Sequence, residues 1–240
     1  ALAWWASRGQ PALTRQDKLA ILGLGFSGYY LASFLDFAGL AYVTASFERL
    51  VLYLNPTIVL GLGWALFGRK ATLRQLIAMA VSYSGVMLVF AHDLQLAGPD
   101  VVLGAALVFG SALSYAVYLV YSGEVVKRLG SLRLTGLATS VACVLCIVQF
   151  LVLRPISAAT EVAPQVIWLS VLNATLCTFA PVLMIMMAIE RVGSTMTAQT
   201  GMLGPMSTIL MGVLLLGEPF TAWVAAGTAL VLSGVWLLAR

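Results

Sequence analysis

The chain has 240 residues, of which 61% are hydrophobic and 9% charged, with a formal net charge of +4. A soluble domain carries roughly 45–50% apolar and 25% charged residues, so a water-soluble fold is excluded. No Lys/Arg block is interleaved with aromatics as a nucleic-acid surface requires, and nucleic acid is set aside as a partner. Apolar runs long enough for a helix to cross about 30 Å of hydrocarbon recur along the chain, and the short alternating segments of a barrel do not. The expectation is an all-α polytopic membrane protein embedded in the lipid bilayer.

In chain order, residues 1–7 resemble the last turns of a helix already under way, and residues 8–17 form a polar connection. Complete spans are expected at about 19–41, 43–67, 73–91, 101–123, 134–153, 165–189, 194–216 and 221–239. Orientation follows from the short loops. Alternate loops hold Arg8, Arg15 and Lys18; Arg69, Lys70 and Arg74; Lys127, Arg128 and Arg133; Arg191; and Arg240. The intervening loops hold only Arg154, with Asp93, Asp100, Glu161 and Glu218. The first set is expected on the cytoplasmic side, together with the C-terminus.

Shifting the sequence by 149 positions lays residues 43–91 on 192–240 without a gap. The shift matches Pro56 with Pro205, Gly63 with Gly212, Gly68 with Gly217, Gly85 with Gly234 and Ser84 with Ser233. Shared Leu and Ala mean little in so apolar a chain, but shared Pro and Gly set backbone geometry and close packing at fixed places. This is a duplicated unit. Five spans, an odd number, separate each element from its echo, so the copies cross the membrane in opposite directions, as in carriers that bind substrate near the bilayer midplane. One transport domain, 1–240, is expected, with a first repeat over 1–93 and a second over 94–240. On the same shift, residues 1–7 fall on the end of another span. The first repeat is therefore expected to lack about 50 residues, or two helices of roughly 20–25 residues each.

Leu216-Gly217-Glu218, Gly227 and Gly234-Val235 resemble the closing signature of the EamA-type branch of the drug/metabolite transporter superfamily. The resemblance implies a ten-helix carrier of two inverted five-helix repeats, with about eight complete helices present here. It also implies kinship with bacterial inner-membrane exporters of amino acids and other small metabolites. The first copy departs from the signature, with Arg69 where the second has Glu218.

Polar groups within spans are costly unless they face the protein or water, which makes them the functional candidates. Tyr29, Ser33 and Asp36 fall on one face of the first span. Asp36 lies at a similar depth to Glu48 and Arg49 on the next. An Asp36–Arg49 ion pair is expected, with Glu48 pointing elsewhere because adjacent residues diverge by about 100°. Three roles stay open for these residues: holding a zwitterion's two charges, gating the outer mouth, or carrying a coupling proton. A structural pair reaching for the interface is the alternative. Ser114, Tyr115 and Tyr118 form a second stripe able to line a wet path. Asn55, Asn173, Thr178 and Gln199 complete the expected buried polar set. Pro56 and Pro205, at equivalent positions, and Pro181 are expected to kink or hinge their helices.

Gly23, Gly25 and Gly28 spell GxGxxG, but inside a span, where close packing explains them better than a dinucleotide. Cys143, Cys146 and Cys177 are expected as core thiols. His92 is expected at an interface. No HExxH or GxSxG occurs, so no enzyme activity, metal or cofactor is expected. The expected function is transport of a small organic molecule, most simply an amino acid, by alternating access, with an outward direction implied by the resemblance. Protons are the candidate coupling ion. A broad drug or toxin exporter and a membrane assembly protein are the alternatives. The oligomeric state is not specified by the sequence.

Overall fold

The computed structural model describes residues 10–52, 54–68, 72–97, 100–155, 157, 162–200, 211, 214–215 and 221–239, and every regular element among them is helical. Hydrocarbon offers backbone N–H and C=O groups no partner, and a helix satisfies them within its own segment. The first stretch runs as α1 (Arg15–Leu24), a π-helical segment (Gly25–Leu31) and α2 (Ala32–Gly39). Thr14 starts it. Its N–H and hydroxyl donate to Asp17 Oδ2 at 3.0 and 2.6 Å, and the Asp17 N–H donates to Thr14 Oγ1 at 3.1 Å, a reciprocal capping box.

α3 (Ala45–Leu52) and α4 (Asn55–Phe67) follow, then α5 (Leu73–Ala97), α6 (Asp100–Leu129) and α7 (Ser131–Leu153). The next stretch runs as α8 (Pro164–Leu172), a second π-helical segment (Asn173–Phe179) and α9 (Ala180–Val192). It is followed by α10 (Ser194–Thr200) and α11 (Ala222–Ala239). Among the described residues, five stretches are long and apolar enough to cross a membrane: Arg15–Gly39, Phe47–Leu66, Asp100–Leu129, Ser131–Leu153 and Pro164–Val192. Leu76–Val89 and Ala222–Gly234 are shorter apolar runs. These seven coincide with seven of the eight expected spans. The remaining one, 194–216, is described only in part. The protein is an all-α, multi-pass membrane protein.

The chain divides into two compact units, each drawing on both ends of the sequence. In the first, Ala1–Tyr30 with Tyr121–Gly193, Gly25 lets α1 approach α7: a Cβ there would stand 2.6 Å from the Ala138 carbonyl oxygen. Close packing thus accounts for Gly25, whereas a Cβ on Gly23 would meet nothing within 4 Å. At the polar end Arg128 pairs with Asp17, and Arg133 donates from Nη2 to the Pro11 carbonyl at 2.9 Å. Elsewhere the surface is apolar: Val144, Ile147, Leu151 and Trp168 are all more than half exposed. Cys143, Cys146 and Cys177 are exposed as well. The expectation of core thiols is corrected, since these thiols share faces with side chains that only hydrocarbon would solvate.

In the second unit, Leu31–Val120 with Ser194–Arg240, α5 packs along α11. A Cβ on Gly85 would stand 2.6 Å from the Gly227 carbonyl oxygen, and one on Gly234 2.6 Å from that of Ala78. These two contacts exchange under the 149-residue shift. Ser82, which donates to the Val231 carbonyl at 3.4 Å, is 149 residues from its partner. The two helices therefore meet about a local two-fold relation, with backbones close enough for only glycine at the crossings. Gly85→Val and Gly234→Val are each expected to destabilise the fold by about 1–3 kcal/mol through overpacking, lowering the midpoint of thermal unfolding in detergent. Gly23→Ala, where a Cβ meets nothing within 4 Å, is expected to leave it unchanged. Unaltered midpoints in both valine variants would show that these crossings do not hold the helices together.

Candidate functional site

Small residues bring α2 against α6 in the second unit. A Cβ on Gly39 would stand 2.6 Å from Val108 Cγ2 and 3.1 Å from the Gly104 carbonyl oxygen, and Gly110 faces Leu35. The antiparallel approach carries the Asp36 carboxyl to the Ser111 hydroxyl, with which it shares a hydrogen bond. After Gly39 the chain turns tightly, with Tyr42 N–H donating to the Gly39 carbonyl at 2.9 Å. Thr44 then caps α3, its Oγ1 accepting from the Phe47 N–H at 3.2 Å. One turn into α3 stand Glu48 and Arg49. Glu48 is fully buried, Arg49 is partly exposed, and Arg49 Nε lies 3.1 Å from Glu48 Oε2.

The expected pairing is therefore corrected in one respect. Asp36 does sit within the electrostatic reach of Arg49, but the carboxylate that Arg49 meets directly is that of Glu48, which does not point elsewhere. Adjacent Cβ atoms diverge on a helix, yet the long Arg49 side chain folds back along the surface and converges with its neighbour. The result is a trio of two carboxyls and one guanidinium, closed on the α6 side by Ser111. Full burial of Glu48 also sets it apart from a side chain reaching for the interface.

Just beyond the trio the helix breaks. Leu54 N–H donates to the Val51 carbonyl at 2.9 Å in a tightened turn, and α4 restarts at Asn55-Pro56. Pro56 offers no N–H to the preceding turn, so a restart of the helix at this point is what its ring requires. Thr57 Oγ1 donates to the Leu54 carbonyl at 2.6 Å. Asn55 is buried, and its Oδ1 has no partner among the described residues. Broken helices of this kind place polar groups at ion and substrate sites in carriers.

A second backbone irregularity was not legible in the sequence. The π-helical segments lie 148 residues apart at both ends, near-equivalent places under the repeat. The Ala180 N–H bonds the Thr175 carbonyl, five residues back, one residue before Pro181, which agrees with the expected irregularity there. Such segments occur frequently at functional sites because they loosen the regular ladder. Tyr29 lies in the first, half-buried; Ser33, a turn beyond it, is exposed. Asn173 and Thr178 lie in the second and are exposed, which corrects their place in a buried set: α8 and its π-helical continuation bury none of their residues.

The α6 stripe faces the interior of its unit. Ser111, Ser114 and Tyr118 are buried, and Tyr115 stacks on Tyr118 with ring centroids 5.6 Å apart. These residues are packed rather than spread along an open path. The cavity found in the second unit, about 350 Å³, is lined instead by Phe47, Val51, Leu54, Tyr83, Met87 and Phe109, and is apolar. Its signal in the sequence was the spacing of Phe47, Val51 and Leu54 on one helical face, beside the polar residues that drew attention. Gln199 lies on α10. Pro205 and the Leu216-Gly217-Glu218 signature lie outside the described residues. His92 stacks on Trp223 at 5.2 Å near the end of α5. Among the described residues no three His, Cys, Asp or Glu side chains gather as a metal set.

A carboxyl-rich trio, a helix broken beside it and an apolar cavity lie together in the second unit. The EamA-like transporter family matches residues 1–91 and 102–240. The chain belongs to that family. Among curated proteins it is 28% identical to the uncharacterized transporter YcbK of Bacillus subtilis over 206 residues, 84% of this chain and 66% of YcbK. It is 24% identical to an uncharacterized transporter of Archaeoglobus fulgidus, over 98% of this chain and 81% of that protein. The chain thus spans just under two thirds of YcbK and more of the archaeal protein. A solved crystal structure aligns over 99% of this chain and 83% of its own with a TM-score of 0.68 at 18% identity, a likeness of fold.

Within this EamA-like chain, Arg49→Ala is expected to destabilise the protein more than the double variant Arg49→Ala with Glu48→Gln, because the single change strands a buried carboxylate. The coupling from a double-mutant cycle is expected at about 0.5–3 kcal/mol, read from unfolding midpoints in detergent. Additive effects would mean that the pair does not interact.

Proposed function

We propose that this EamA-like protein is a secondary carrier that moves a small organic metabolite, of the amino-acid class, across the cytoplasmic membrane by alternating access, in the outward direction. The single observation that carries the substrate class is the trio Asp36, Glu48 and Arg49. Carboxyls and a guanidinium held together within an apolar unit supply complementary charges for an ammonium and a carboxylate. The apolar cavity beside Phe47, one residue from Glu48, suits an uncharged side chain. Alternating access is supported by the repeat, 1–93 against 94–240, by the two-fold packing of α5 on α11 and by the helix break at Pro56. Pro56, Pro181 and Pro205 are the hinge points, and Tyr29, Ser33, Asn55, Ser114, Tyr115, Tyr118 and Gln199 belong to the pathway in this reading. The distribution of Lys and Arg among the loops supports a cytoplasmic C-terminus, and protons are the coupling ion.

A broad exporter of lipophilic compounds is the second reading, favoured by the apolar lining of the cavity. Counterflow of a labelled amino-acid panel in liposomes containing the full-length protein separates the two. Saturable exchange confined to one chemical group, reduced at least tenfold in Arg49→Ala, is the expected result. Exchange of lipophilic cations with no amino acid moved would replace the first reading by the second.

A further inference from the structure

The apolar cavity of the second unit is walled by three helical stripes. Phe47, Val51 and Leu54 stand at i, i+4 and i+7 along and just past α3, Tyr83, Val86 and Met87 at i, i+3 and i+4 on α5, and Val102, Ala105, Ala106 and Phe109 at i, i+3, i+4 and i+7 on α6. None of these side chains is charged, and Tyr83 carries the one hydroxyl among them. A buried water needs about two to four polar partners, and an apolar cavity of about 150 Å³ stays dry and takes benzene instead. At about 350 Å³ this one has room for more.

The walls differ in what they face. Phe47, Val51 and Leu54 are 1%, 2% and 2% exposed and form the floor, whereas Met87, Val102 and Phe109 are 59%, 48% and 39% exposed and form the rim. The cavity therefore opens sideways, between α5 and α6. Leu103 and Leu113, also exposed, continue the rim along α6, an apolar surface that hydrocarbon solvates in a multi-pass membrane protein. Depth follows from α6, which starts at Asp100. At about 1.5 Å per residue, Val102 lies about 3 Å and Phe109 about 13 Å into the helix, within the ~15 Å of hydrocarbon in one leaflet. The stripes run along the helices, the direction in which lipid chains also stand.

We propose that this cavity is a binding site for one acyl chain of a bilayer lipid, which enters sideways from the leaflet on the Asp100 side. Three observations favour that occupant: the rim is continuous with the hydrocarbon-facing surface, the depth is that of the chains in one leaflet, and the lining desolvates no charge on entry. Ala105 and Ala106 leave the room that the chain fills. The site stands without the carrier reading above. Under that reading, the uncharged side chain of a substrate and the acyl chain contend for one cavity.

Photolabelling tests the site. The full-length protein is placed in liposomes of phosphatidylethanolamine and phosphatidylglycerol, a minor part of the latter carrying a diazirine midway along one chain, and labelled residues are located by peptide mass spectrometry. Lipids that merely surround the protein reach the rim. The wild type is expected to be labelled on the floor as well, at Phe47, Val51 or Leu54. Ala105→Phe and Ala106→Phe, which fill the cavity, are each expected to cut floor labelling at least tenfold while Leu103 keeps its label. Should one of these variants not fold, the other carries the comparison, since Ala106 is exposed and tolerates a larger side chain more readily. Labelling of the rim alone in folded wild type, or floor labelling undiminished in the filled variants, overturns the proposal. So does floor labelling by a diazirine-bearing amino acid with none by the lipid, which would give the cavity to substrate. If no amino acid moves in the counterflow assay, the carrier reading fails, and the lipid labelling still decides this site.

Discussion

Hydrocarbon can neither accept nor donate a hydrogen bond, and the rest of this structure follows from that constraint. Each backbone must satisfy itself within a helix, and lipid gives no hydrophobic reason for one helix to prefer another. Close contact therefore has to come from shape, and glycine supplies it: Gly25 against α7, Gly39 and Gly104 between α2 and α6, and Gly85 and Gly234 between α5 and α11. At each crossing a missing Cβ lets a carbonyl or a side chain come close enough for dispersion to act over many atoms. The same approach determines where function can sit. Asp36 reaches Ser111 only because Gly39 and Gly104 let the helices bearing them touch.

Much of this was legible in the chain itself. Apolar run length located the spans because the bilayer fixes a length, and Pro56 located the break because its missing N–H has one structural consequence. The repeat offset foresaw more than an alignment: Ser82 and Val231, one offset apart, are in contact. The misses have a common cause. Residue type says how polar a position is but not what a helix packs against, so Asn173, Thr178 and the three cysteines were assigned to an interior that α8 and the outer face of α7 do not make. The π-helical segments had no sequence signal beyond Gly25 and Pro181, since an extra residue in a turn is a backbone event. Periodicity likewise gave the direction of the Glu48 Cβ but could not give the path of a long arginine side chain.

The trio is where these strands meet. A buried ion pair is weak evidence for stability, because desolvating both charges offsets most of their attraction. A chain selected only to fold would place an apolar residue at one of these positions. That Asp36 on α2 and Glu48 and Arg49 on α3 stand together in an apolar setting argues that the arrangement is held for more than stability.

Its position sharpens that argument. Asp36 and Glu48 stand on opposite sides of a short turn, on helices interrupted elsewhere by a π-helical segment and by Pro56. Each helix can thus flex on one side of its carboxyl while its other side is tied by the turn. The breaks therefore fall where bending disturbs the helix crossing least, since the close contacts of Gly39 and Gly104 lie on the turn side.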